Sequence, residues 1–178
     1  CLITGASGGV ATALATQLRG AGWRLVLVSR EPSRVEAAPG DVVIAADVSG
    51  EAGAEQAMDE AVEALGGLPD AVAHCAGAIL VAPLGRTSEA QYRACLAANL
   101  DSAFFVARAY APRLQAAGAP GALLFFSSVA AGIGVAIHAA IAIAKGGIEG
   151  LVRALAADFS GIGLRVNVVS PGMVFFEG

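Results

Sequence analysis

The sequence predicts an α/β fold in which helices cover both faces of a doubly wound parallel sheet. Short apolar runs alternate with helical patterns along the chain, and this alternation is typical of parallel strands joined by helices. Of the 178 residues, 56% are hydrophobic and only 15% are charged, which suits strands buried on both faces. A glycine-rich turn follows the first apolar run. We therefore expect one three-layer αβα domain over residues 1–178.

The elements are expected in a regular order. Strands are predicted near residues 1–4, 24–29, 42–46, 70–75, 121–127 and 163–169. Helices are predicted near residues 8–20, 52–65, 87–117 and 138–160, and the third region is expected to be two helices that meet near Asn99. Right-handed crossovers place the carboxyl ends of parallel strands, and with them a ligand crevice, at one edge of the sheet.

The first strand, Cys1-Leu2-Ile3-Thr4, leads into the turn Gly5-Ala6-Ser7-Gly8-Gly9 and a helix that begins near Val10. In such a turn the bare backbone can approach a diphosphate, and the helix N-terminus attracts its charge. Any tight strand-to-helix turn also favours glycine, so the turn alone leaves both interpretations open.

Charge and cysteine content exclude several classes of function. The net charge is −4 and no basic run is present, so we expect no nucleic-acid partner. The three cysteines are odd in number and form no C-x-x-C pair, which indicates neither a disulfide framework nor a metal site. A reducing cytoplasm fits this usage. No charged leader precedes Cys1, and we expect a few native residues before it.

An uncharged stretch over residues 116–144 and a mean hydropathy of +0.68 raise the question of a membrane span. A membrane helix needs about 20 mostly apolar residues in a row. Glycine, proline, serine and histidine interrupt this stretch repeatedly. A buried strand, a loop and a buried helix are therefore the preferred interpretation, with no membrane partner.

The segment Thr4–Ala11 resembles the T-G-x-x-x-G-x-G fingerprint of the short-chain dehydrogenase/reductase family, with Ala11 at the last glycine. Alanine is a mild departure there, because that position serves close helix–strand packing. The resemblance extends over nearly all of the chain. It implies a Rossmann-type fold, a nicotinamide cofactor held by Gly5, Ser7, Gly8, Gly9 and Val10, and oxidoreduction of a small alcohol or carbonyl compound.

The residues at the ends of the second and third strands predict which cofactor is preferred and where its adenine binds. The second strand ends at Ser29-Arg30 without an acid. An acid near this point binds a ribose hydroxyl, whereas an arginine accommodates a 2′-phosphate, so NADP(H) is preferred and NAD(H) stays possible. Arg30 could also be a solvated loop residue. In the family, the pair equivalent to Asp47-Val48 holds the adenine, although Asp47 could simply cap a turn.

The fourth strand ends in His74-Cys75-Ala76-Gly77, which resembles the family motif N-N-A-G. The small residues Ala76 and Gly77 match, and the resemblance implies that they and Cys75 lie against the cofactor. Cys75 replaces an asparagine and is expected to be an inert packed thiol. His74 replaces the other asparagine and receives no catalytic role.

Four further positions carry the catalytic resemblance. Asn99 matches the family's helix asparagine, which holds a water near the active lysine, and could also be a helix-junction cap. Ser128 matches the catalytic serine, and Lys145 follows it by 17 residues as in the family. A lone lysine in an apolar helix is costly unless it is liganded. Pro171-Gly172 matches the turn that covers the nicotinamide.

The family's catalytic tyrosine should stand four residues before Lys145, where this chain has Ile141. Losing a general acid costs roughly 10²–10⁴ in rate. His138 precedes the position by three residues but is expected at or before the helix start. The chain is therefore expected to be an NADPH-dependent oxidoreductase or a cofactor-binding protein without turnover. A purely structural partner with an empty crevice is disfavoured by the glycine turn and Arg30.

Two further expectations come from the resemblance. Family members continue beyond Pro171-Gly172 through a substrate-binding helix pair and a seventh strand, which are expected to be missing or truncated in these 178 residues. Similar proteins assemble through the helices predicted near 100–117 and 138–160. Small residues there, such as Ala103 and Ala154, allow a homodimer or homotetramer.

Overall fold

A computed structural model describes residues 1–174 of the chain. Its sheet has parallel strands in the order β3-β2-β1-β4-β5-β6. Their bounds are Leu2–Thr4 (β1), Val26–Ser29 (β2), Val42–Ala45 (β3), Ala71–His74 (β4), Gly121–Phe126 (β5) and Leu164–Val169 (β6). The predicted doubly wound sheet is confirmed, and its strand order reverses between β1 and β4.

The helices cover the sheet as the alternation predicts. They are Gly9–Gly20 (α1), Glu51–Leu65 (α2), Glu89–Leu96 (α3), Ser102–Ala117 (α4), Val129–Gly132 (α5) and Ala139–Phe159 (α6). A π-helical turn, Ala97–Asp101, joins α3 to α4. Within residues 1–174 none of these helices combines the length and the apolar character that crossing a bilayer requires.

Alternate residues of the central strands face different helices. Leu2, Val26 and Val72 pack in one core with residues of α2, α4 and α6. Their neighbours Ile3 and Leu27 pack in a second core with residues of α1. Because successive side chains of a strand point to opposite faces, these two cores define the three-layer arrangement. Both strand faces are apolar, so the central strands read as continuous hydrophobic runs.

The start of one strand and the presence of one short helix differ from the prediction. The second strand begins at Val26 rather than near residue 24, because its partner β1 begins at Leu2, which pairs with Val26. The short helix α5 was not predicted. It forms because the Ser128 hydroxyl accepts a hydrogen bond from the backbone nitrogen of Ala130 at 3.2 Å, which caps a helical turn after β5.

Candidate active site

The turn between β1 and α1 requires glycine at its first position. Gly5 has a φ of +67°, and a Cβ there would lie 2.5 Å from the backbone nitrogen of Ala76. A side chain would therefore be strained and would collide with the segment after β4. Gly8 is the N-cap of α1, and a Cβ there would lie 3.3 Å from the Gly5 carbonyl oxygen. This bare backbone at a helix start is suited to an anion.

A groove opens beside this turn at the carboxyl edge of the sheet. Its lining includes ten of the predicted cofactor contacts: Gly5, Ser7, Gly8, Ser29, Arg30, Asp47, Val48, Cys75, Ala76 and Gly77. The groove lies where the strand order reverses, the position at which open α/β sheets bind ligands. Five predicted contacts do not line the groove: Gly9 and Val10 are in the first turn of α1, Lys145 is on α6, and Pro171 and Gly172 follow β6.

One end of the groove carries charged groups of both signs. Arg30, Glu31 and Arg34 line it after β2, and Asp47 lines it after β3. Arg34 forms an exposed ion pair with Glu31, with 3.5 Å between Nη1 and Oε2. The Ser29 hydroxyl donates to the Ser7 hydroxyl at 3.3 Å, which ties the end of β2 to the glycine turn. Two guanidinium groups beside two hydroxyls form an arrangement able to bind a phosphate.

Asp47 follows β3, where it caps a turn and also lines the groove. Its Oδ1 accepts a hydrogen bond from the backbone nitrogen of Ser49 at 3.0 Å, so it caps the turn that leads to α2. That hydrogen bond, together with the nearby Arg30 charge, holds the pKa of the carboxyl below its usual value. The carboxylate therefore stays charged while it lines the groove. Val48 beside it is buried.

His74 is buried beneath the groove and links two elements. Its Nδ1 lies 2.8 Å from the Thr4 hydroxyl and its Nε2 lies 3.1 Å from the Ser102 hydroxyl. Ser102 Oγ donates to the Ala98 carbonyl at 2.9 Å, so Ser102 accepts from Nε2–H and Thr4 donates to Nδ1. Burial lowers the pKa of His74 to about 3, which makes it a neutral structural link and agrees with its lack of a predicted catalytic role.

Cys75 lies beside His74 at the groove. Burial raises the pKa of its thiol to about 12. A thiol with this pKa is not a nucleophile at neutral pH. This environment is consistent with the prediction that the Cys75 thiol is packed and unreactive.

Asn99 interrupts the helical hydrogen bonding between α3 and α4. Its Nδ2 donates to the Cys95 and Ala78 carbonyls, both at 2.9 Å, and its Oδ1 accepts from the Ala78 nitrogen at 3.3 Å. The side chain takes the place of a backbone donor to Cys95, which accounts for the π-helical turn Ala97–Asp101. It also ties this turn to the segment after β4, so the predicted junction role is confirmed.

Lys145 and Asn99 meet beside Gly77. A Cβ on Gly77 would lie 2.8 Å from Asn99 Oδ1 and 3.5 Å from Lys145 Nζ. Glycine is therefore needed where the groove approaches these two polar groups. Lys145 Nζ donates to the Phe126 carbonyl at 2.9 Å. Burial lowers the pKa of the Lys145 ammonium below its usual value.

The two serines after β5 point to different partners. Ser127 is buried and donates to the Lys145 carbonyl at 3.2 Å and to Glu149 Oε1 at 2.8 Å. Ser128 is half-buried and caps α5, next to the strand whose last carbonyl holds Lys145. Ser127 therefore holds β5 against α6, and Ser128, the predicted catalytic serine, has a different environment. Only Ser128 retains a partly accessible hydroxyl.

Ile141 is buried at the position of the expected tyrosine. It is 6% exposed and packs with Cys95, Ala140 and Ala144, with the partly buried Tyr92 against the same cluster. The Ile141 side chain has no proton to give. It contributes to this site by packing.

Three other side chains carry a group that could donate a proton: Tyr110, Tyr92 and His138. Tyr110 is buried and donates to the Pro69 carbonyl at 2.6 Å. Tyr92 packs against the Ile141 cluster and also lines a depression with Ile143. His138 is the residue before α6, and its Nδ1 lies 2.6 Å from the Ala136 carbonyl. The preceding Ile137 has a φ of +58°, an uncommon conformation for a β-branched residue.

Pro171 and Gly172 follow β6 at the same edge of the sheet. The Pro171 carbonyl accepts a hydrogen bond from the Val129 nitrogen at 3.0 Å, which joins the predicted nicotinamide turn to α5. The remaining sequence, Phe175 to Gly178, lies outside the described residues.

Three groups near the crevice were missed by the sequence reasoning. Arg34 lines the groove, and its spacing of four residues from Arg30 was the available signal. Ser102 lines the groove and partners His74. Glu149 accepts from Ser127 and, at 3.4 Å, from Ser170, which joins the ends of β5 and β6 to α6. No sequence pattern reports such long-range pairs.

The doubly wound sheet, the glycine turn and the groove at the reversal point define a dinucleotide-binding domain of the Rossmann type. A family model described as enoyl-(acyl carrier protein) reductase matches residues 5–176. The chain belongs to the short-chain dehydrogenase/reductase family.

Among curated relatives, D-threitol dehydrogenase of Mycolicibacterium smegmatis is 32% identical over 189 residues, which span 99% of this chain and 70% of the relative. L-xylulose reductase of Bos taurus is 30% identical over 97% of this chain and 70% of its own length. A protein named inactive 2-(S)-hydroxypropyl-CoM dehydrogenase 2, from Xanthobacter autotrophicus, is 34% identical over 86% of this chain and 68% of its own.

Solved structures agree with this assignment. A metagenomic short-chain oxidoreductase in complex with NADP superposes with a TM-score of 0.86 at 31% identity, over 97% of this chain and 81% of that one. A short-chain dehydrogenase from Streptomyces avermitilis has a TM-score of 0.89 at 23% identity, over 97% of this chain and 65% of that one. The second likeness concerns the fold alone. Together with the family match, these likenesses support an oxidoreductase that binds a nicotinamide dinucleotide.

Proposed function

We propose that the protein interconverts a small alcohol and its carbonyl compound with NADP(H), and that NADPH is preferred over NADH. The observation that carries this proposal is the juxtaposition of the glycine turn with Arg30 in one groove. Glu31 also lines the groove, but its carboxylate is paired with Arg34. A 2′-phosphate needs cationic donors at the end of β2, and a free ribose hydroxyl needs an acceptor there. The similar metagenomic enzyme was solved with NADP.

The predicted site residues divide into an adenosine end, which lines the groove, and a reaction end, which does not line it but reaches Gly77 through Lys145. At the adenosine end, which we define by Ser7, Arg30 and Asp47, the hydroxyl and guanidinium would hold the phosphates and the carboxylate would accept from the adenine amine. The backbone at Gly5 and Gly8 would meet the diphosphate, because Gly8 is the N-cap of α1 and bare backbone at a helix start suits an anion. Cys75, Ala76 and Gly77 would line the middle of the bound cofactor.

The reaction end is defined by Ser128, Lys145 and Ile141. Bound NADPH supplies a hydride at this end. The Ser128 hydroxyl would donate to the substrate oxygen and orient it. Lys145, held by the Phe126 carbonyl, would contact the nicotinamide ribose, while Asn99 would hold a water and Pro171-Gly172 would cover the ring. Because Ile141 carries no acid, the proton for the substrate oxygen would come from solvent.

A second candidate function is cofactor binding without turnover, in a sensing or assembly role. The burial of Ile141 in an apolar cluster favours it. The similar Xanthobacter autotrophicus protein that is named inactive shows that likeness to dehydrogenases does not require activity. The retained Ser128, Lys145 and Asn99 favour turnover. We also propose a cytoplasmic homodimer or homotetramer, in which exposed Phe104 on α4 suits an interface between copies.

A thermal-shift titration with NADPH and with NADH tests the cofactor proposal. A ligand that binds only the folded state raises the melting temperature by an amount set by its concentration relative to Kd. We expect a larger shift with NADPH than with NADH at equal concentration. Equal shifts would contradict the preference, and no shift with either nucleotide would contradict the proposed function. Carbonyl reduction measured by NADPH absorbance then separates turnover from binding alone.

A further inference from the structure

Gly53 lies in the first turn of α2, where that helix approaches the segment after β3. A Cβ on Gly53 would overlap the Asp47 carbonyl oxygen and would lie 2.7 Å from the Asp47 carbonyl carbon. Side chains do not come so close to backbone atoms, so α2 can take this position only with glycine at residue 53. Glycine destabilises a helix relative to alanine, and close packing against Asp47 is the physical reason for it here.

The other glycines at the ends of α2 have no such contact. Gly50 is the N-cap of the helix, and Gly66 and Gly67 follow its last residue. A Cβ at any of these three positions would meet nothing within 4 Å beyond its own chain neighbours. The close approach is therefore specific to the turn of α2 that lies against Asp47.

Further contacts hold α2 against the end of β3. Ala54, the next residue of the helix, is buried and packs in the same core as Val48. Gln56 Nε2 donates to the Ala45 carbonyl at 3.4 Å. Asp47 lies between Ala45 and Val48 in the chain and lines the groove. The helix therefore contacts the backbone of Asp47 and the residues on both sides of it.

We propose that Gly53 is a positioning residue for the adenosine end. Because it lets α2 lie against the Asp47 backbone, it holds the Asp47 carboxylate where that group accepts a hydrogen bond from the exocyclic amine of adenine. The Ser49 nitrogen donates to Asp47 Oδ1 at 3.0 Å and fixes the rotation of the carboxylate. The inference rests on the proposed function for the place of the adenine, and it adds the residue that fixes the acceptor.

Base selectivity tests this inference, because it depends on the position of one carboxylate. The probes are NADPH and its deamino form, in which hypoxanthine replaces adenine and a carbonyl oxygen replaces the amine. Calorimetric titration measures the affinity of each. Wild type should bind NADPH about tenfold more tightly, because only adenine offers an amine to the charged Asp47 carboxylate. In Gly53→Ala this ratio should fall below about twofold, because the displaced carboxylate no longer reaches the amine.

Gly50→Ala is the matched control, since it adds a methyl group at the start of the same helix. The backbone of Gly50 is extended, with a φ of −130°, and a Cβ there has open space, so this variant should keep the wild-type ratio. An unchanged ratio in Gly53→Ala, or an equal weakening of both nucleotides, would overturn the inference. If Gly53→Ala does not fold, Ala54→Val decides. It enlarges a side chain in the core that holds Val48 and should also lower the ratio, and an unchanged ratio would overturn the inference.

Measurements on wild type separate failure of the inference from failure of the proposed function. A thermal shift with NADPH but equal affinities for the two nucleotides would overturn the inference alone. If NADPH gives no shift, the proposed function fails, and the Asp47 carboxyl is titrated by NMR without nucleotide. The hydrogen bond from Ser49 holds the pKa of this carboxyl below its usual value. A pKa closer to the usual value in Gly53→Ala would support the positioning of Asp47, and equal pKa values in the two proteins would overturn it.

Discussion

The adenosine end and the reaction end share one sheet edge but differ in what holds their residues. At the adenosine end, backbone geometry imposes the arrangement, because Gly5 adopts a positive φ and touches the segment at Ala76. At the reaction end, side chains form the arrangement: Ile141 packs in an apolar cluster, and Lys145 is held by the Phe126 carbonyl. A site built from backbone depends on the few positions where a Cβ does not fit, whereas a site built from side chains depends on the identity of each side chain.

The largest expected effect comes from a methyl group at the adenosine end. Gly5→Ala should weaken NADPH binding more than 100-fold, because the new Cβ would meet the Ala76 backbone and the turn would have to move. Thermal-shift titration measures this. Gly20→Ala, in α1 with open space around its Cβ position, is the control and should bind NADPH normally. Unchanged NADPH binding by Gly5→Ala would contradict the conclusion that the backbone at Gly5 controls cofactor binding.

At the reaction end, restoring the acid should restore chemistry. Ile141→Tyr is expected to raise the rate of NADPH-dependent carbonyl reduction at least tenfold, since a general acid typically contributes about 10²–10⁴. Ile141→Phe controls for size in this tight cluster, where overpacking typically costs about 1–3 kcal/mol. No gain over Ile141→Phe would mean that the reaction end lacks more than its acid.

Cofactor choice should depend on one guanidinium. Arg30→Ala is expected to weaken NADPH binding about tenfold and to leave NADH binding within twofold, since charge-assisted hydrogen bonds contribute roughly 1.5–3 kcal/mol. Arg153→Ala, an exposed arginine on α6, controls for net charge. If Arg30→Ala weakened the binding of both nucleotides equally, Arg30 would attract the negative charge that they share and would not recognise the 2′-phosphate.

The smallest expected effect concerns His74, which lies beneath the groove. Burial lowers its pKa to about 3, so between that value and its ordinary pKa of about 6.5 the unfolded chain binds the extra proton. The stability contributed by neutral His74 is therefore present above about pH 6.5 and is lost as the pH falls. We expect the free energy of unfolding to drop by about 1 kcal/mol from pH 6.5 to pH 5.5 because of this residue. Urea unfolding of wild type and His74→Asn checks this, and equal pH slopes would contradict it.

The fold was predictable because its signals are local. Apolar runs located all six strands of the described region within a few residues, and Asn99 marked the break in the long helical region. The glycine turn and ten groove residues followed from spacing and from the family resemblance. The His74 links to Thr4 and Ser102, the Ser127–Glu149 pair and the surroundings of Ile141 could not be predicted, because they join residues distant in sequence.

The π-helical turn at Ala97–Asp101 also limits how this protein can change. It inserts one residue into a path that would otherwise be a continuous α-helix. Deleting a single residue there would convert the π-helical turn to an α-helical one. The Cys95 carbonyl would then accept from a backbone nitrogen, and Asn99 would lose the position from which it ties this turn to Ala78. The extra residue of the π-helical turn is thus what places a side-chain amide, rather than a backbone group, beside Gly77.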